Sequence, residues 1–126
     1  MSNKIVFSEN APKPIGPYSQ AVKSGNTLYV SGQIAIDPLV GKLITGTVAD
    51  EANQVIRNLG EVLSAAGMSA KNVVKATIYV TDLDDFGKIN EIYGAFFNDQ
   101  PPAREIAQVK RLPLNAQLML SVIAVE

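Results

Sequence analysis

Pro101-Pro102-Ala103-Arg104 places a guanidinium at the head of EIAQVKRL, a run that reads as a strand. The two prolines stop whatever precedes them. The chain has no histidine and no cysteine, so it lacks the usual proton shuttle at neutral pH, a thiolate nucleophile and the commonest metal ligands. What remains for chemistry is Arg, Lys, Tyr, Ser, Thr, Asp, Glu, backbone groups and water. An arginine in such a chain is a charged fork that can hold an anion, and it is not a base. Taken alone, a cation here is most simply a strand-end partner for a carboxylate such as Glu105 or Glu126.

The 126 residues, 47% hydrophobic, supply one domain, residues 1–126, with enough apolar material to bury roughly two thirds of its unfolded surface. The opening MSNKIVFSENAPKP has no long apolar run or small-residue cleavage pattern. No later run approaches the about 18 apolar residues of a membrane span. These features, with the absence of cysteine, set the expectation of a cytoplasmic protein that does not engage a membrane. Eleven basic against 12 acidic residues give a net charge of −1, which supplies no electrostatic track for nucleic acid.

Ile5 to Ser8 reads as a short strand, and prolines 12, 14 and 17 keep the following segment extended or turning. Tyr18–Lys23 and Thr27–Ile34 flank a Ser24-Gly25-Asn26 turn, with Leu28, Val30 and Gly32 alternating against Tyr29, Ser31 and Gln33. From Val48 the period becomes helical through Val55, Ile56, Leu59, Val62 and Leu63, with Thr47 and Asp50 as a capping box and Gly67 at the far end. Val74, Ala76, Ile78 and Val80 form the apolar side of a strand. Asp82 then caps a second helix, whose buried stripe is Phe86, Ile89, Tyr93, Phe96 and Phe97. Asn90 falls on that stripe and needs a partner there. Arg104–Leu112 and Ala116–Glu126 follow as a strand pair around Pro113-Leu114-Asn115. The sum is an α+β sandwich, a mixed sheet with both helices on one face.

In the last strand Leu118, Leu120, Val122 and Ala124 lie on one side, and Gln117, Met119, Ser121, Ile123 and Val125 on the other. Both sides are largely apolar, and a chain this short has no third layer to cover the second. The expectation is a homo-oligomer whose sheets pack together, leaving clefts between subunits.

ENAPKPIGPYSQAV, YVSGQI, VVKATIYVTDLDDFGKIN, IYGAFF and PPAR followed by RLP, in that order and spacing, resemble the RidA/YjgF family of reactive-intermediate deaminases over essentially the whole chain. The resemblance implies a homotrimer of ferredoxin-like, chorismate-mutase-type subunits with ligand sites in the clefts between neighbours. It also implies hydrolysis of 2-iminobutanoate and 2-iminopropanoate to the 2-oxo acid and ammonia, with no metal and no organic cofactor. The family's carboxylate-binding arginine corresponds to Arg104, its tyrosine to Tyr18, its serine-glycine pair to Ser31 and Gly32, and its helix asparagine to Asn90. Arg104 would thus be the catalytic-site anchor, holding the carboxylate while a placed water adds to the imine carbon.

The chain departs from that pattern in three places. Glu105 stands where a small residue is usual, and Ile106 where a cysteine is common. Met119 replaces the glutamate thought to position the attacking water, and a thioether neither accepts a proton nor holds a water strongly. With Ile106 and Met119 in the ligand-binding set the cleft becomes more apolar. A second reading is therefore a deaminase-silent sensor that binds a small 2-oxo, 2-imino or amino acid and reports on branched-chain amino-acid metabolism, isoleucine included. Without the resemblance, Tyr18 packs a turn beside Pro17, Ser31 fills a tight strand beside Gly32, and Asn90 bridges backbone.

Overall fold

The computed structural model describes residues 3–126, so Met1 and Ser2 of the expected 1–126 domain lie outside the described residues. Among the described residues eight strands and two α-helices follow one another as β1 (Lys4–Val6), β2 (Ala21–Ser24), β3 (Thr27–Gln33), β4 (Ile36–Asp37), β5 (Lys42–Leu43), α1 (Val48–Ala65), β6 (Val73–Val80), α2 (Phe86–Phe96), β7 (Ala103–Gln108) and β8 (Leu118–Val125). The main sheet has the order β1-β2-β3-β8-β6-β7, and β4 and β5 form a small hairpin apart from it. Only β6 and β7 are parallel; every other pair in the main sheet is antiparallel. The crossovers β3-α1-β6 and β6-α2-β7 step across the sheet in the same direction, and at the usual right hand this puts both helices on one face. The expected α+β architecture is what the chain adopts.

α1 forms where the period demands it, and both of its ends are satisfied. The Thr47 hydroxyl accepts the Asp50 amide at 3.2 Å while Asp50 Oδ2 accepts the Thr47 amide at 3.0 Å. At the other end Gly67, at φ +71°, lets its own amide reach Ser64 O and that of Met68 reach Leu63 O, which satisfies carbonyls a helix end leaves open. The buried stripe Val55, Leu59, Val62 and Leu63 lies on a sheet face made by Leu28, Val30, Ala76, Ile78, Leu120 and Val122.

The expected pairing of the last two strands does not occur. β8 lies between β3 and β6, while β7 takes the edge beside β6. A strand apolar on both sides suits the centre of a sheet, and AREIAQ suits an edge. The first arm of the hairpin begins at Ala21 rather than Tyr18; just before it the Gln20 carbonyl accepts the Ser31 amide at 2.9 Å, and its buried side chain ties Ser8, Ala11 and Pro12 to this end of the arm. Asp82 caps a short 3₁₀ turn over Leu83–Asp85, through a bond from the Asp84 amide at 2.9 Å, and α2 starts only after it. The alternation in β3 also breaks. Between the pairs Val30–Val122 and Gln33–Leu120 two residues oppose one, a bulge at Ser31-Gly32 that turns Gln33 inward.

Candidate functional site

The bulge opens a cleft. Ser31, Gly32, Ile34, Tyr18 and Met119 are among the residues lining a cavity of about 320 Å³. The Tyr18 hydroxyl accepts the Ile15 amide at 3.2 Å, which holds the ring over the opening and leaves the phenolic proton available to donate. Ser31 is already engaged, since its hydroxyl donates to Ser19 O at 2.6 Å. It can still accept. Met119 lies flat on Gly32: a Cβ at that glycine would come within 2.6 Å of the Met119 sulfur. Glycine at 32 is therefore what makes room for the thioether.

Sequence reasoning missed the supports behind this wall. Asn58 of α1, with no exposed surface, donates to Ile34 O at 3.3 Å and Ile36 O at 2.9 Å and accepts from Gln54 at 2.9 Å. The buried Glu51 receives the Gln117 backbone amide at 2.9 Å and so sets the start of β8 below Met119. A polar residue at a position where α1 is otherwise buried was the available signal. Asn58→Ala removes the side-chain donor to Ile36 O and the acceptor of the Gln54 amide, while Ile34 O keeps the Ile36 amide at 2.8 Å, so it is expected to cost about 2–3 kcal/mol of stability, read as a fall in denaturant midpoint at unchanged m-value. Lys13 and Ile15, at the rim of the same cleft, were not singled out either.

Arg104 does not line this cleft. It lies in register with Ala76 and, through it, Val122, on the helix face of the sheet. There its Nη1 donates to Asn90 Oδ1 at 2.7 Å, the partner that the position of Asn90 on the α2 stripe demanded. The carboxylates suspected of pairing with Arg104 are engaged elsewhere: Glu105 binds Lys75 at 2.9 Å and Glu126 binds Lys23 at 2.6 Å. Among the described residues Arg104 has no carboxylate partner. Its guanidinium carbon is 4.8 Å from the Tyr93 ring centroid and 5.6 Å from that of Phe86. Phe86, expected in the core stripe, is 42% exposed.

Ile106 is on the same face as Arg104, against the core, in register with Ile78 and Leu120. Met119 pairs with Tyr79, which in turn pairs with Ala107, on the opposite face. Within one chain the seven candidates thus fall into Tyr18, Ser31, Gly32 and Met119 in the cleft, Arg104 with Asn90 across the sheet, and Ile106 against the core.

Tyr93 is buried, and its hydroxyl has no hydrogen-bond partner among the described residues. Burial pushes its pKa up, with the nearby Arg104 charge pulling the other way. A phenol whose pKa is higher folded than unfolded contributes stability below about pH 10, and that contribution is lost as pH rises through the folded pKa. Tyr93→Phe is expected to be neutral or stabilising by about 1 kcal/mol at pH 7 and to flatten the loss of stability in alkaline melts.

The fold as a whole is shared with solved structures. Escherichia coli TdcF with bound serine superimposes at a TM-score of 0.94, with 40% identity over 98% of each chain. A Yersinia pestis protein of the conserved Rid family superimposes at 0.95, with 36% identity over 99% of this chain and all of that one. The mouse 2-iminobutanoate/2-iminopropanoate deaminase is 46% identical over 123 residues, 98% of this chain and 91% of that one. The family model described as Endoribonuclease L-PSP matches residues 8–126. The chain belongs to the RidA/YjgF family. As in that family's structures, two helices pack on a mixed sheet. Among the described residues of this Rid protein no helix is long and apolar enough to cross a membrane.

Proposed function

We propose that the protein is a cytoplasmic Rid-type homotrimer that binds small 2-oxo and 2-imino carboxylates in clefts shared by neighbouring copies. The observation that carries this reading is Arg104: a half-buried guanidinium oriented by Asn90, with no carboxylate partner among the described residues. Its counterpart is a cleft built by Tyr18, Ser31, Gly32 and Met119. Each half lacks what the other supplies, and a second copy can join them. The outer sheet face, where Ile5 is 73% and Tyr29 51% exposed beside the polar Thr77 and Ser121, gives such copies a surface to share.

In the joined site Arg104 holds the ligand carboxylate through paired N–H groups, and Tyr18 donates to the ligand from the other wall. A water adds its oxygen to C2 and a proton passes to the imine nitrogen. The C–N bond then breaks as the added hydroxyl gives up its proton to the nitrogen and becomes the C=O, and ammonia departs. Arg104 fixes the geometry and does not move protons. With Met119 in place of a carboxylate on Gly32, no side chain there takes the water's proton, so turnover of 2-iminobutanoate is slow. The same observation favours the second reading, a silent binder of such ligands that reports on branched-chain amino-acid supply.

The test is a coupled assay in which threonine dehydratase supplies 2-iminobutanoate, with calorimetric titration of 2-oxobutanoate alongside. One ligand per chain and imine loss slightly above the uncatalysed rate are expected. Absence of binding by 2-oxo and amino acids alike would overturn the proposal, whereas binding without turnover leaves the sensor. Light scattering should give three times the chain mass. Nucleolytic activity is not part of this reading, since a histidine-free chain of net charge −1 has neither a ready acid/base pair nor an RNA track.

A further inference from the structure

Phe86, Asn90 and Tyr93 stand four and then three residues apart, so three successive turns of α2 present one face. All three side chains meet the same guanidinium. Nη1 of Arg104 is tied to Asn90, and the rings of Tyr93 and Phe86 lie 4.8 and 5.6 Å from its central carbon. Neither the core nor the hydrogen bond explains Phe86, a large apolar side chain left 42% exposed at the start of a helix.

An edge-strand arginine has many rotamers, and something must hold it in place. A carboxylate could, but it would occupy the N–H edge that a ligand carboxylate needs. An aromatic ring attracts the cation through the negative charge of its face and offers no in-plane acceptor. The rings and the ligand therefore use different parts of the guanidinium.

We propose that Phe86 and Tyr93 are positioning residues, an aromatic clamp that aims Arg104 and keeps it free of any internal counter-ion, so that its unused N–H edge receives the ligand carboxylate. This rests on the reading of Arg104 as the ligand anchor.

The experiment titrates 2-oxobutanoate and its uncharged amide into the natural protein and into the Phe86→Leu, Phe86→Tyr, Tyr93→Phe and Arg104→Ala variants. The Arg104 Nε–Hε resonance is followed by NMR in each variant that retains the arginine. Phe86 is partly exposed, so its variants are expected to fold, and melting curves verify this. Phe86→Leu should weaken carboxylate binding about fivefold, leave the amide unchanged and reduce the ring-current shift of Hε to the part that Tyr93, 4.8 Å away, still supplies. The two conservative variants, which keep both rings, should bind within about twofold of the natural protein and retain the full shift. Loss of binding in Arg104→Ala with none in Phe86→Leu would overturn the clamp while the anchor stands. Equal weakening of acid and amide in Phe86→Leu would also overturn it, since the ring would then be only a wall. Unchanged binding in Arg104→Ala would instead remove the anchor itself, and the Hε shift would still show whether the rings hold the guanidinium.

Discussion

Arg104→Ala is expected to weaken 2-oxobutanoate binding by about 30-fold or more, the low end for truncating one partner of a hydrogen-bonded charge pair, which costs about 2–5 kcal/mol. The ligand has one full charge and few other polar atoms, so most of its orientation depends on this contact. Alanine leaves the Asn90 carbonyl without its 2.7 Å donor, yet Asn90 is only half-buried and water can replace it. The fold should survive, and an unchanged melting temperature would confirm that lost affinity reflects the missing cation. Arg104→Lys restores the charge without the fork and should recover only part of the affinity. If calorimetry shows alanine binding as tightly as arginine, the ligand lies elsewhere.

Met119→Glu is expected to raise imine hydrolysis about 100-fold, the lower bound for a well-placed general base. The thioether rests directly on Gly32 at the cleft wall, so a carboxylate on the same stem reaches the space where a water must stand to attack C2. Met119→Gln is the control, because it can hold a water but cannot take its proton at neutral pH. The glutamate variant should gain rate as pH rises through the carboxylate range, from about 4 upward, while the natural protein and the glutamine variant stay flat. Equal rates for all three in the coupled assay would show that Met119 does not limit turnover. A fast natural protein would show that this chain does not need the glutamate.

α1 and its caps could be read directly because helix formation and capping depend on neighbours within four residues, and Thr47, Asp50 and Gly67 do what their types require. β6 was legible by alternation from Ala76 to Val80, but Val74, expected on its apolar side, is 49% exposed and Val73 is buried instead, across an irregularity between Val73 and Lys75. The bulge at Ser31-Gly32 was not, since it exists only against a partner strand that comes some ninety residues later. Phe86 read as core because its spacing fits the stripe, and spacing cannot tell a ring that meets leucine from one that meets a guanidinium.

By itself, the sequence determined the element types, the absence of histidine and cysteine chemistry, the apolar two-sided last strand and the family. Local periodicity, composition and ordered motifs are properties of the chain. Tertiary structure alone decided that β8 inserts between β3 and β6, that Arg104 faces α2 while Met119 faces away from it, and that Glu105 and Glu126 are engaged by lysines. Those outcomes follow from competition among distant segments for the same backbone edges and the same charges. No local pattern encodes who wins.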